Sequence, residues 1–340
     1  MNKIKIKKTP KKILIIKPSS LGDIIHTLPL LNILYRSFPE SEIHWVVAKG
    51  FEDLLKGHPM ISKVWIINKD SWKKMTMIKQ TFNEFVDIAK KLKTECYDIV
   101  LDVQGLLRSG ILAYATRSPI RIGFEEAKEG SSFFYTHKIK GGISINAVDR
   151  YLKLAASIGC GIEDVSFPLP FLEDSEFVIG LKRDIGNYAV IIPGARKKAN
   201  QWDAEKYGRL ASMLNIKSLI VGVRSDDEIG QKIESIAGSK ALSIVGKTNL
   251  KELVSILKDA RYIISNDTGP MHIAAALGVP VFAIFGPANP VRTGPYGKNN
   301  VVIKSDLPCS PCYKRECKDP KCMNEISVEK VYKAVNEFIH

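Results

Sequence analysis

Apolar residues in this chain fall into two patterns, and their alternation predicts the architecture. Runs with almost no polar interruption, KILIIK at 12–17, EIHWVVA at 42–48, KVWII at 63–67, YDIVLDV at 97–103 and RIGF at 121–124, predict strands buried on both faces. Between them, residues 22–37, 75–93 and 146–158 carry apolar side chains three and four apart, the spacing of helices with one buried face. Strands and helices in this order build a parallel sheet covered on both sides. The stretch CGIEDVSFPLPFLEDS at 160–175 breaks the rhythm with Pro168 and Pro170 and reads as a linker. A second alternation follows, with strands expected at 188–192, 218–223, 242–245, 262–265 and 281–285. Its helices are expected at 204–214, 225–237, 250–258 and 270–277. The expectation is an α/β chain of two doubly wound, Rossmann-like domains, residues 1–174 and 175–340, facing a ligand cleft between the carboxyl ends of two sheets. An amphipathic helix at 327–338, capped by Ser327, closes the chain.

Composition narrows the class. A hydrophobic fraction of 45% beside 25% charged residues excludes a disordered chain. No apolar run approaches the roughly 18 residues of a membrane span, and the opening MNKIKIKKTPKK lacks the apolar stretch of a signal peptide, so a cytosolic protein is expected. Fifty Lys and Arg against 36 Asp and Glu leave +14, which favours a polyanionic partner: nucleic acid, an anionic membrane surface or a phosphorylated substrate. Against nucleic acid, the cations are spread along the chain without a companion set of aromatic residues.

Three strand ends carry candidate chemistry. In KPSSLGDIIHTLP at 17–29, a strand runs through a tight turn into a helix and presents Asp23 at the helix start, where free N–H groups stabilise a carboxylate. Asp23 there is either a helix cap or a catalytic base, and His26 reads as structural. In IPGARKKANQW at 192–202, a Pro-Gly turn is followed by Arg196, Lys197 and Lys198, a set suited to gripping a diphosphate or to a solvated surface. In SNDTGPMH at 265–272, Thr268 and Gly269 open a helix whose backbone N–H groups would face a phosphate, with Asp267 as an alternative cap. The segment VGKTNL at 245–250 lacks the upstream glycine of a P-loop and more plausibly lines a nucleotide base. Four cysteines, Cys309, Cys312, Cys317 and Cys322, suit a structural zinc, an iron–sulfur cluster or disulfides, and no nearby histidine activates them for catalysis.

Together these motifs resemble glycosyltransferase family 9, the ADP-heptose:lipopolysaccharide heptosyltransferases, from Ile13 onward. SSLGDIIHTLP at 19–29, WVVAKGFEDLL at 45–55 and LDVQGLLRS at 101–109 look most like the type I enzymes, while CSPCYKRECKDPKC at 309–322 looks more like type II. The resemblance implies a GT-B fold, inversion at the anomeric carbon, ADP-heptose as co-substrate and no metal required for catalysis. It makes Asp23 the base and places Ser19 and Ser20 near the donor. Gly194, Ala195, Arg196, Lys197 and Lys198 would form the donor loop, Asp267, Thr268, Gly269 and His272 the donor pocket, and Glu228 and Thr248 the adenosine contacts. Family members carry Lys two residues before Trp202, where this chain has Asn200, so Lys197 or Lys198 would substitute. The implied acceptor is acidic Kdo-lipid A. It would be met by cations of the first domain, Lys69, Lys73, Arg108 and Arg121 among them, with the protein held peripherally on the cytoplasmic face of the inner membrane. The last helix is expected to pack back on the first domain. A type II enzyme, another family member with a different acceptor, a sugar-nucleotide epimerase and a nucleic-acid binder with a Cys site are the alternatives.

Overall fold

In the computed structural model the described residues are 4–68, 78–170 and 173–339, and the chain forms two compact units, Met1–Pro170 and Phe171–His340. The division falls inside the proline-bearing stretch at 160–175, where neither strand nor helix periodicity survives.

The first unit is built on strands β1 (Lys12–Ile16), β2 (Glu42–Ala48), β3 (Lys63–Ile67), β4 (Ile99–Asp102), β5 (Ile120–Phe124) and β6 (His137–Ile139). They form one parallel sheet in the order β3-β2-β1-β4-β5-β6. The chain winds one way from β1 to β3 and the other way from β4 to β6, so the order reverses between β1 and β4. There Ile16 lies beside Asp102. The reversal leaves Lys17 and the turn after Asp102 at an open carboxyl edge, the usual ligand position of such sheets. Ile13, Leu14, Ile15 and Ile16 are all 0% exposed, which explains the unbroken apolar run of β1; each such side chain contributes about 1.5–3 kcal/mol.

The second unit repeats the plan with β7 (Tyr188–Ile192), β8 (Lys217–Ile220), β9 (Ala241–Ser243), β10 (Ile263–Asn266), β11 (Val281–Phe285) and β12 (Asn300–Lys304). Their order is β12-β11-β10-β7-β8-β9, reversing between β7 and β10. The closing helix, Val328–Ile339, buries Val328, Val331 and Val335 in this unit's core with Trp202, Tyr207 and Leu210.

Several of the described elements escape the periodicity. The edge strands β6 and β12 are only partly buried and alternate too briefly to register as apolar runs. Helix Leu107–Ala115 is only nine residues long, and Glu176–Ile185 buries Val178 alone among its residues. In the first unit Gly123 on β5 lies against the ring of Tyr135, and a Cβ there would stand 2.2 Å from it. Gly123→Ala should therefore push Tyr135 aside and cost about 1–3 kcal/mol, the usual price of overpacking, read as a lowered melting temperature.

Candidate active site

At the first reversal point, Ser20 ends the turn after β1 and caps helix Leu21–Ser37. The Ser20 backbone N–H and hydroxyl both donate to Asp23 Oδ2, at 3.0 and 2.8 Å. The capping reading of Asp23 is therefore correct as far as it goes. Two further contacts come from outside the turn. The Tyr151 hydroxyl, on helix Ala147–Ser157, donates to Asp23 Oδ1 at 2.9 Å, and Lys17 Nζ stands 3.7 Å from Oδ2. The Lys17 side chain is 4% exposed, whereas that of Asp23 is 36% exposed and can meet a substrate. Burial opposes the Asp23 charge, yet the Lys17 ammonium and the Ser20 donors outweigh it and hold the carboxyl well below the usual range. Burial likewise pushes His26 down to about 4, so it is neutral at pH 7, as a structural histidine should be. Ser19 is half-buried at the start of the same turn.

Asp102, at the end of β4, is fully buried and accepts from the N–H groups of Gln104 and Gly105 and, at 2.7 Å, from the Tyr135 hydroxyl. Burial raises its pKa, and its charge acts in turn on Lys17. Lys17, Asp102 and Tyr151 were not singled out in the sequence. A Lys closing an apolar strand reads as its solvated end, and Tyr151 lies 128 residues from Asp23.

The second reversal point gathers most of the remaining candidates. Pro193 and Gly194 follow β7, and a Cβ at Gly194 would run into the Asp226 carboxylate, which would have to shift. Asn266, fully buried at the end of β10, donates to Pro193 O at 2.6 Å and accepts from Trp202 N–H at 3.1 Å, so it ties down both ends of the cationic loop. Gln201 braces the loop at Ala195 O, at 2.9 Å. Asn200 donates through Nδ2 to Asp267 Oδ2 at 3.1 Å. Thr268 then caps helix Gly269–Ala276, on which His272 is buried. Arg196 and Lys198 are exposed and Lys197 half-buried. Glu228, exposed in the first turn of helix Asp227–Ala237, and half-buried Thr248 follow β8 and β9 on the same carboxyl edge; Gly246 N–H bonds Gly222 O at 3.0 Å and joins those two loops.

Burial pushes Asp267 up to about 6 against the pull of Lys197, Asn200 and Arg196. Above that pH its carboxylate opposes an anionic ligand in the same loop cluster, and below it the opposition is lost. The wild type should therefore gain affinity for ADP relative to Asp267→Asn as pH falls from 7.5 to 5.5, measured by calorimetric titration of both. The same raised value makes this group's contribution to stability greatest in acid and lost as pH rises through about 6.

The acceptor candidates divide. Arg108 is exposed in the first turn of helix Leu107–Ala115, at the carboxyl edge. Arg121 sits near the amino end of β5 and uses its guanidinium as a brace, donating to Phe134 O at 2.9 Å and Ser118 O at 2.6 Å. Lys69 and Lys73 lie outside the described residues. Among the described residues no disulfide joins Cys309, Cys312, Cys317 or Cys322; Cys322 is buried and the others are exposed. Among the described residues no three His, Cys, Asp or Glu side chains are gathered to hold a metal ion. The loop of the four cysteines is nonetheless hung on the cationic loop and on the end of β11, since Ala199 N–H donates to Arg315 O at 3.1 Å and Cys312 N–H to Pro287 O at 3.1 Å. No described helix is long and apolar enough to cross a membrane.

Residues 85–323 match the family model described as glycosyltransferase family 9 (heptosyltransferase). The chain is 31% identical over 320 residues to lipopolysaccharide heptosyltransferase 1 of Pseudomonas aeruginosa, covering 90% of this chain and 87% of that one. The structure of E. coli heptosyltransferase WaaC with ADP superposes with a TM-score of 0.76 at 26% identity, over 96% of this chain and 99% of the other. A family 9 glycosyltransferase from Veillonella parvula shares the fold with a TM-score of 0.81 at 22% identity, over 97% of each chain. With two parallel six-stranded sheets of GT-B type and this similarity along nearly its whole length, the chain belongs to glycosyltransferase family 9, the heptosyltransferases.

Proposed function

We propose that this enzyme transfers heptose from ADP-heptose to the Kdo-lipid A inner core of lipopolysaccharide, with inversion at the anomeric carbon and without a catalytic metal. The observation that carries the reading is Asp23: a carboxylate held ionised, partly exposed, at the switch point of the first sheet. In the reaction the acceptor oxygen attacks the anomeric carbon, the bond from that carbon to the diphosphate oxygen breaks, and the acceptor proton passes to Asp23. Charge developing on departing ADP is met by Arg196, Lys197 and the start of helix Gly269–Ala276. These cations and the helix end supply the stabilisation that a metal supplies in other transferases, and this supports the metal-independent reading.

ADP-heptose as donor is supported by the E. coli heptosyltransferase solved with ADP and with ADP-2-deoxy-2-fluoro heptose, at 26% and 25% identity. A lipopolysaccharide acceptor is supported by the Pseudomonas lipopolysaccharide heptosyltransferase 1, and an anionic one by the +14 charge. Arg108 is exposed at the carboxyl edge and is proposed to meet that acceptor, and the same role is proposed for Lys69 and Lys73. The same charge supports peripheral association with the cytoplasmic face of the inner membrane. Incubation with ADP-heptose and Kdo-lipid A, followed by mass spectrometry and anomeric analysis, tests the reading. One added heptose of inverted configuration, formed in the presence of chelator, is expected. Product only from an acceptor that already carries heptose would make this a type II enzyme, the reading that the 309–322 motif favours.

The cysteine loop is read as a staple of the donor loop, closed by zinc or by disulfides. Elemental analysis with thiol titration decides. Stoichiometric zinc, or fewer than the six thiols of the sequence, is expected, and six reactive thiols without metal would remove the staple.

A further inference from the structure

We propose that Lys17 and Tyr151 form a two-sided clamp that holds Asp23 ionised and aimed for proton abstraction, making both of them positioning residues for the transfer. The proposal rests on the general-base reading of Asp23. Capping the helix requires only the pairing of Ser20 with Asp23, and it leaves a buried ammonium on one side and a tyrosine from a distant helix on the other without a purpose.

The geometry supplies one. Two Ser20 donors and the Tyr151 hydroxyl reach Asp23 at 2.8–3.0 Å, filling about three of the four lone-pair directions of a carboxylate. Lys17 Nζ, at 3.7 Å, acts on Oδ2 as a point charge, and it lies 5.3 Å from the centre of the Tyr151 ring, so the two halves of the clamp brace each other. Tyr151 is itself 4% exposed and packs its ring against Phe124 at 6.3 Å. The carboxylate so held cannot rotate without giving up a hydrogen bond, and its remaining lone pair is left for the acceptor hydroxyl. Burial lowers the Lys17 pKa, and the Asp23 and Asp102 carboxylates both favour its charge and offset part of that cost, with Arg150 opposing. The groups acting on Asp23 itself are Lys17 just after β1, Ser20 from the turn, His26 from its own helix and Tyr151 from helix Ala147–Ser157.

The test is steady-state kinetics across pH with Tyr151→Phe, Lys17→Met and Lys17→Arg, beside Asp23→Asn, each checked for melting temperature. Tyr151→Phe keeps the ring and removes one charge-assisted hydrogen bond, so kcat should fall about tenfold with KM for donor and acceptor unchanged. Lys17→Met should lower kcat about 10–100-fold and bring the acid limb of kcat/KM up to higher pH, because the charge that keeps Asp23 ionised is gone. Lys17→Arg should restore part of both. A folded Tyr151→Phe enzyme with wild-type kcat and an unmoved acid limb, beside an inactive Asp23→Asn, overturns the clamp and leaves the base reading standing. Wild-type turnover in Asp23→Asn overturns both. If Lys17→Met does not fold, Tyr151→Phe alone decides.

Discussion

Asp23→Asn should lower turnover by roughly two to four powers of ten while ADP affinity stays at the wild-type level. Asparagine caps helices about as well as aspartate and can still accept from the Ser20 N–H, so the helix should form. What asparagine cannot do is take a proton from the acceptor. A purely structural Asp23 predicts little loss of rate, and near-normal turnover in a folded variant would remove Asp23 from the mechanism. A stability effect is expected as well, because Lys17 is buried 3.7 Å away and loses a counter-charge. The melting temperature should fall by a few degrees at neutral pH. Its pH dependence has a defined sign. The Asp23 carboxyl titrates below its ordinary 3.8 in the folded chain, so its contribution is present above about pH 4 and is lost as pH falls towards the folded value. The gap in melting temperature between wild type and Asn variant should therefore close in acid.

Lys197→Ala should weaken ADP binding about 10–100-fold and lower kcat in addition, whereas Lys198→Ala should change affinity by no more than about fivefold. The two lysines are neighbours in sequence but not in role. Lys197 is half-buried and is the cation that acts most strongly on Asp267, ahead of Arg196. Lys198 is exposed at the start of the short turn Lys198–Asn200. Asn200, at the position where the resemblance leads one to expect a lysine, has its amide taken up by Asp267 and brings no charge. On the proposed reading, neutralisation of the departing diphosphate falls to Lys197 with Arg196. Calorimetric titration with ADP and donor kcat/KM for both variants check this. A strong loss in Lys198→Ala with a neutral Lys197→Ala would move the role to the exposed lysine.

The sequence by itself determined the class of fold, the strands that carry the site and two of its three loops. Fully buried strands such as β1 and β7 must be apolar throughout, so KILII and YAVII announce themselves. Turn residues needed at strand ends, the Pro193–Gly194 pair and the Thr268–Gly269 helix start, are local requirements and therefore legible. The helix start at Asp23 was equally legible, but its meaning was not. Capping and catalysis ask for the same residue at the same place, and what the sequence does not show are contacts from elsewhere: Lys17 across the turn and Tyr151 from a helix 128 residues on. Asn266 and Asp102 escaped for a similar reason. A polar residue at the end of an apolar strand looks like the strand's exposed terminus, and only burial shows that it must be hydrogen-bonded: Asn266 to both ends of the cationic loop, Asp102 to Tyr135 and the turn after β4. The edge strands β6 and β12 were lost because a strand with one neighbour and a partly wet face needs no apolar run. Local rules are written in local residues; pairing across the sheet and the desolvation of a charge are properties of the folded chain, and only the tertiary structure decided them.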